Sequence, residues 1–438
     1  MRFKIRENKK TRIFLGISDI AGYMHSLNKG FEKNSVKSRF YDLTGSKFKY
    51  SDEKTSAIIK LHRFLVGRES NTYSVVLKKT YSISQLIIRF FLFIKCLFIY
   101  DVFIFCSYRT ILHFHDLPVL KFFNKKIIFV FFGSDTRPAY ISGNLIISNV
   151  LKDGKIDNLD FIYSDCLEKR KLIMKIEKYS DFIINHPPTS FFHKKSFILW
   201  SIIGFPFWDG KLKINPLFKE ENTPAIRILH APSNPLTKGS GIIEEAIERL
   251  KRKGYQIEFI KIFNRPNKEV LAEIAKCDFV IDELYSDIPL GGLGTEAAFF
   301  GKPTINGGYY FEFIKKDYPD SAIPPSVFCC PEEIEEAIDR LIRNTEFRKN
   351  IGEASKEFVS NNWESEKVAK RFLQLINKDF PASWYYDPSQ SNYIFGYGQS
   401  KEQLKKVLEA LLRKYGDQGL FLEDKPGVLQ KIHKFVQF

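Results

Sequence analysis

Along most of the chain, short apolar runs alternate with longer stretches in which apolar residues recur every three or four positions. RIFLGI (12–17), SRFYDL (38–43), VFIFC (102–106), KKIIFVFFG (125–133) and DFIINH (181–186) read as strands. Each is short and rich in β-branched or aromatic residues. Between them, residues 22–33, 83–98 and EKRKLIMKIEKY (168–179) carry the period of helices. Strands separated by helices imply parallel sheets with crossover connections.

The alternation stops at 205–224, FPFWDGKLKINPLFKEENTP, which has Pro, Asn and charge but no period. It restarts with AIRILHAP (225–232), a helix from Gly239 to Lys253, QIEFIKIF (256–263), the helix NKEVLAEIAKC (267–277) and FVIDEL (279–284). SVFCC (326–330) and helices over 331–378 complete it. The pattern predicts an α/β domain over 1–204, a linker over 205–224 and a second α/β domain over 225–378. Residues 379–438 differ: a turn-rich aromatic stretch, PASWYYDPSQSNYIFGYG, precedes the amphipathic helix EQLKKVLEALLRKYG, stopped at Gly416. This tail reads as a crossover segment, an added subdomain or an oligomer contact.

The most apolar segment, 82–106, is interrupted by Arg89, Lys95 and Asp101. No run in it approaches the ~18 apolar residues needed to span a bilayer, so the expectation is a very apolar helix followed by a buried strand. The opening MRFKIRENKKTRIFLGIS has no apolar core ahead of a cleavage site, and no signal peptide is expected. Six cysteines without a CxxC pair suit reduced thiols in a cytoplasmic protein.

Charge divides the chain. Residues 1–220 hold 37 Lys+Arg against 19 Asp+Glu, a balance of +18, while the remainder holds 30 against 32, a balance of −2. A lysine-rich composition alone would charge both halves alike. The first half is expected to favour anionic partners: nucleic acid, phosphorylated substrates or anionic lipid. No recognisable nucleic-acid module accompanies it, so no nucleic acid is expected.

Candidate chemistry collects at strand ends, where α/β folds bind ligands. LHAPSNPLTKGSG (229–241) ends a strand, passes Ser233 and opens a helix at Lys238-Gly239. Backbone N–H groups at a helix start bind anions, and a lysine adds a full charge. In LGGLGTEAAFFGKPTINGG (290–308), Gly292, Gly294 and Thr295 form a turn that lets a ligand approach the backbone. Glu296, one turn in, is placed to accept hydrogen bonds from ribose hydroxyls. Asn264, in FNRPNKE (263–269), stands where a base edge can be read. In the first half, Asp135 and Arg137 follow KKIIFVFF at a strand end: Asp135 to orient or deprotonate an acceptor hydroxyl, Arg137 to meet a phosphate. The alternative is an N-cap aspartate beside a surface arginine. HFHD (113–116) has an HxH spacing but no evident third ligand, and no metal is expected.

The order HAPSNPLTKG, FNRPNKE, CDFVIDEL, GGLGTEAAFFGKPTINGG resembles the donor-binding half of GT-B glycosyltransferases, and more narrowly the retaining family-4 type. The resemblance is clear over 225–378 and looser over 11–220, through Gly16 and FFGSDTR (131–137). It implies an α/β fold of two Rossmann-like domains facing across a cleft. It further implies that Lys238 contacts a donor diphosphate, that Glu296 holds the ribose, and that the 292–295 turn caps the phosphates. Family members often carry a second acid eight positions before that glutamate; here it is Ile288, with Asp287 beside it and Glu283 further back. The implied activity is transfer of a sugar from a nucleoside-diphosphate sugar, UDP rather than GDP, to a surface-polysaccharide or lipid-linked glycan acceptor, with retention and without a cofactor or metal. Peripheral association with an anionic inner membrane surface fits the basic first half. A non-catalytic scaffold subunit and a sugar-nucleotide 2-epimerase-like enzyme are the alternatives.

Overall fold

The computed structural model describes residues 11–45, 56–152, 154–207 and 225–437. The opening residues 1–10 and the expected linker from 208 to 224 lie outside the described residues.

Fourteen strands are present among the described residues. In chain order they are β1 (Arg12–Ile17), β2 (Lys37–Asp42), β3 (Val102–Cys106), β4 (Lys126–Val130), the short antiparallel pair β5 (Leu151–Lys152) and β6 (Lys155–Ile156), β7 (Phe182–Asn185) and β8 (Phe197–Leu199). Then follow β9 (Ile226–His230), β10 (Ile257–Lys261), β11 (Phe279–Glu283), β12 (Thr304–Gly307), β13 (Val327–Cys329) and β14 (Tyr385–Tyr386). The first sheet has the order β14-β8-β7-β4-β3-β1-β2, parallel except for β14; the second, β10-β9-β11-β12-β13, is parallel throughout. β3, β7 and β11 are buried along their whole length, as expected of strands covered on both faces. These are two Rossmann-like domains in the GT-B arrangement.

The chain leaves the second domain and returns to the first. The helix Ser365–Asn377 crosses the helix Tyr23–Lys33 so closely that a Cβ on Gly30 would lie 1.9 Å from the Ser365 carbonyl oxygen. Tyr385 and Tyr386 then add β14 to the first sheet. The helices Lys401–Tyr415 and Pro426–Gln437 bury Leu404, Val407, Leu411 and Ile432 in one cluster with Ile146, Ile162, Cys166 and Ile173.

Some elements differ from the sequence expectation. The apolar helix expected over 83–98 runs Val75–Ile99, because Ser74 caps it by accepting from the Leu77 N–H at 3.4 Å. The helix expected over 168–179 runs Leu159–Tyr179, started by Asn158, which accepts from Phe161 N at 3.1 Å. A helix over Ala57–Ser70 lies antiparallel to the apolar one, tied to it by Gln85 Nε2 to Glu69 Oε2 at 2.7 Å and Arg89 Nε to His62 Nε2 at 3.0 Å. Of the HFHD residues, His113 Nε2 lies 2.7 Å from Arg89 Nη1, and Asp116 holds its own loop by accepting from Thr110 Oγ1 at 2.6 Å and Leu112 N at 3.1 Å.

Candidate functional site

At the ends of β9, β10 and β11, loops of the second domain surround a cleft of about 810 Å³, part of it open to solvent. Five sequence-predicted residues line it: Ser233, Lys238, Asn264, Gly292 and Glu296. Ala21, from the loop after β1, forms its first-domain wall.

The loop after β9 is set by a buried histidine. His230 Nδ1 lies 2.8 Å from the Ile281 carbonyl oxygen, which only accepts, so Nδ1 carries the proton. Nε2 therefore accepts from Ser240 Oγ at 2.8 Å, pinning the start of the helix Ser240–Arg252. Burial pushes the His230 pKa down to about 4, which keeps it neutral. Gly239 adopts φ of 73°, and a Cβ there would meet Leu284 Cβ at 2.6 Å. Glycine is required on both counts.

The glycine turn is wrapped around Asp282. Its Oδ2 accepts from Gly294 N at 3.2 Å, and a Cβ on Gly291 would approach it to 2.9 Å. Thr295 is committed to the turn: its hydroxyl and its N–H donate to the Gly291 carbonyl at 2.8 and 2.9 Å. A Cβ on Gly292 would stand 3.4 Å from Ala21 Cβ, so the helix Gly292–Phe299 begins against the first domain. Glu296 is 5% exposed and receives both branches of a contact from Asn267 Nδ2, at 2.9 and 3.2 Å. Asn264 sits in the left-handed region at φ of 55°, a conformation asparagine tolerates.

Lys238 does not stand alone. Its ammonium lies 2.5 Å from Glu283 Oε2 and 3.5 Å from Asp282 Oδ1. Burial opposes its charge, but Glu283, Tyr397 and Asp282 together raise its pKa well above the usual lysine range. For Glu283, burial pushes up while Lys238 and the hydroxyls of Ser286 and Tyr397 pull down, and the net shift is downward. Asp282 moves the other way: burial raises it further than Lys238 lowers it, and ionised Glu283 adds to the rise. The lysine–glutamate pair is therefore the charged one, and Asp282 is the carboxylate most ready to take a proton.

Asp135 and Arg137 are not among the cleft-lining residues. Asp135 Oδ2 accepts from Phe132 N at 2.8 Å, capping its own short helix; burial raises its pKa to about 6. Arg137 is buried and meets Asp287 of the second domain through Nε–Oδ2 at 2.7 Å and Nη2–Oδ1 at 2.6 Å. Its guanidinium lies over the Tyr397 ring at 4.7 Å. Tyr397 comes from the tail, whose backbone is pinned to both domains: Gly143 N donates to Tyr397 O at 2.7 Å, and Gly398 N to Tyr285 O at 3.0 Å.

Sequence reasoning did not name Asn267, Asp282 or Tyr397 as part of the site. Asn267 reads as an ordinary helix opener, and Tyr397 lies far along the chain from everything it touches. Asp282 had a signal in the acidic end of FVIDEL.

No family model matches the chain, and no curated protein matches its sequence. Three solved structures are similar to the chain, and the first of them carries the fold. The N-terminal domain of trehalose-6-phosphate phosphatase from Candida albicans superposes with a TM-score of 0.54 and 10% identity, over 87% of this chain and 99% of that one. Alr3699/HepE of Anabaena, in complex with UDP-glucose, gives a TM-score of 0.48 and 12% identity over 84% and 99%. The catalytic domain of Starch Synthase IV from Arabidopsis thaliana, bound to ADP and acarbose, gives 0.47 and 11% over 84% and 99%. At such identities the likeness is one of fold.

Proposed function

We propose that this chain is a glycosyltransferase that takes its sugar from a UDP-sugar and passes it, with retention, to a surface-polysaccharide or lipid-linked glycan at the cytoplasmic face of an anionic membrane. The observation that carries the reading is the convergence of Lys238, the Gly292 helix start and the Asn267-held Glu296 on one cleft between two Rossmann-like domains.

In this reading the nucleoside lies against Asn264 and Ile262, and Glu296 accepts its ribose hydroxyls. Asn267 keeps that carboxylate aimed, so little ordering remains to be done on binding. The diphosphate meets the N–H groups at the Gly292 helix start. Charge that develops on it as the glycosidic bond breaks is stabilised there and by Lys238. Lys238 divides its charge between Glu283 and the ligand. Asp135, which caps its own helix away from the lining of this cleft, is given no step in this reading. Arg137 acts through Asp287, holding the two domains in register.

A scaffold without catalysis is favoured by one observation: Lys238 is already neutralised by Glu283, with Asp282 beside it. Release of nucleoside diphosphate from a panel of nucleotide sugars decides between the two. The transferase reading expects slow hydrolysis of one UDP-sugar without acceptor, abolished in Glu296→Ala. No release with any donor, with or without membrane glycolipid extract, contradicts it.

A further inference from the structure

The helix Val75–Ile99 and its neighbour Ala57–Ser70 form a hairpin on the first domain that leaves its apolar surface uncovered. The longer helix has a mean hydropathy of 1.9 over its most apolar window, of which 22% is buried. Ile83, Ile87, Phe90, Phe91 and Phe98 are each half or more exposed and follow i, i+4, i+7, i+8, i+15 spacing, which makes a single stripe. Leu61 and Phe64 of the shorter helix are exposed to a similar extent, and Tyr73 at the hairpin tip is 99% exposed. Soluble proteins rarely present such a continuous apolar face to water.

We propose that this hairpin docks the protein onto an anionic lipid bilayer, lying in the interface with its apolar stripe in the acyl boundary. Charge selects the occupant. Residues 56–99 hold seven Lys+Arg and one Glu, a balance of +6. A second copy would set two such hairpins against each other, whereas an anionic leaflet attracts them. Geometry selects the mode. Leu92, Phe93, Cys96 and Leu97 are in the protein core, and Tyr100 leads directly into β3. Only residues 75–91 are free of the core along their whole girth and so available to span, roughly 25 Å of helix at ~1.5 Å per residue against the ~30 Å hydrocarbon thickness. Lys78 and Lys79, exposed near the tip, belong among headgroups rather than beyond a second leaflet. A stripe of Phe and Ile flanked by basic residues is the pattern of an in-plane helix.

The inference rests on the membrane-facing acceptor of the proposed function, but its test has a separate readout. The full chain is sedimented with phosphatidylcholine vesicles with and without phosphatidylglycerol. Binding to the anionic vesicles is expected, weakened at least about tenfold by Phe90→Ser/Phe91→Ser and roughly fivefold per charge by Lys78→Glu and Lys79→Glu. An alkaline carbonate wash is expected to release the protein. These substitutions are at exposed positions and are expected to leave nucleotide binding unchanged, so loss of nucleotide binding in the wild type sinks the transferase reading alone. Three results overturn the docking proposal: no binding to anionic vesicles, equal binding by the phenylalanine variant, or retention after the carbonate wash. A wild-type dimer that Phe90→Ser/Phe91→Ser converts to a monomer, with no vesicle binding, assigns the face to a second copy instead.

Discussion

Arg137 and Asp287 lie 150 residues apart in sequence and meet through two hydrogen bonds of 2.7 and 2.6 Å, both side chains almost fully buried. The pair joins the two domains beside the candidate site. Removing one member leaves the other charge buried without its partner, which typically costs ~3–5 kcal/mol. Arg137→Ala is expected to destabilise the chain by that amount in urea unfolding. Arg137→Met/Asp287→Leu is expected to recover most of the loss. A loss under about 1 kcal/mol for Arg137→Ala means that the contact contributes little to domain docking.

Glu283 competes with any bound phosphate for Lys238. Glu283→Gln is expected to raise nucleoside diphosphate affinity by about tenfold, because an anion 2.5 Å from the ammonium is removed. Lys238→Met is expected to lower it by at least as much. Affinity is also expected to rise as pH falls through the raised pKa of Asp282, since the site then holds one fewer negative charge. Titration calorimetry across pH checks all three, and an affinity that falls in Glu283→Gln contradicts the competition.

Buried histidines make stability sensitive to acid. Burial holds His186 down to about 3 and His230 to about 4. Above their unfolded value of ~6.5 both states are neutral and pH has no effect through them. Below it the unfolded chain takes protons that the folded chain refuses, so each histidine lowers stability by ~1.4 kcal/mol per pH unit as pH falls. Buried Asp282 and Asp287, with raised values, act in the opposite sense. The difference between wild type and His230→Gln isolates the term: between about pH 6 and 4.5 the variant is expected to lose stability less steeply by one proton. Parallel slopes contradict it.

The tail glycines separate backbone strain from steric clash. Gly396 and Gly416 both have positive φ, 69° and 62°. A Cβ on Gly396 would lie 2.0 Å from the Ile141 carbonyl oxygen, while Gly416 has nothing within 4 Å. Gly416, at ψ of −162°, lies in a region that essentially only glycine visits, and Gly416→Ala is expected to cost ~1–3 kcal/mol from backbone strain alone. Gly396→Ala is expected to cost clearly more and to loosen the seat of Tyr397 between the domains. Equal losses in thermal unfolding mean that the tail yields at Gly396.

The strands and the cleft were legible in sequence for local reasons. Apolar runs mark β1, β3, β7 and β11 within a residue, while the run over 125–133 outlasts β4 by three residues; the Gly-rich turn before Glu296 stands at a strand end, the position that α/β folds offer to ligands. What stayed hidden depends on which surfaces meet. Nothing local ties Arg137 to Asp287, or Tyr397 to both. Asn267 gains its role only when its helix start is placed beside the helix carrying Glu296. The period of the 75–99 helix shows one apolar stripe, but not that solvent, rather than the core, faces it. The three-residue β8 and two-residue β14 are too short for any periodic signal.

The most direct test is calorimetric binding of UDP, GDP, ADP, TDP and CMP to the wild type and to Glu296→Ala. The account predicts that UDP binds best and that Glu296→Ala loses ~1–3 kcal/mol, the cost of stranding buried hydrogen-bond partners. Absence of binding by every nucleotide at millimolar concentration contradicts it, and the cleft between Lys238 and Glu296 is then architecture without a donor.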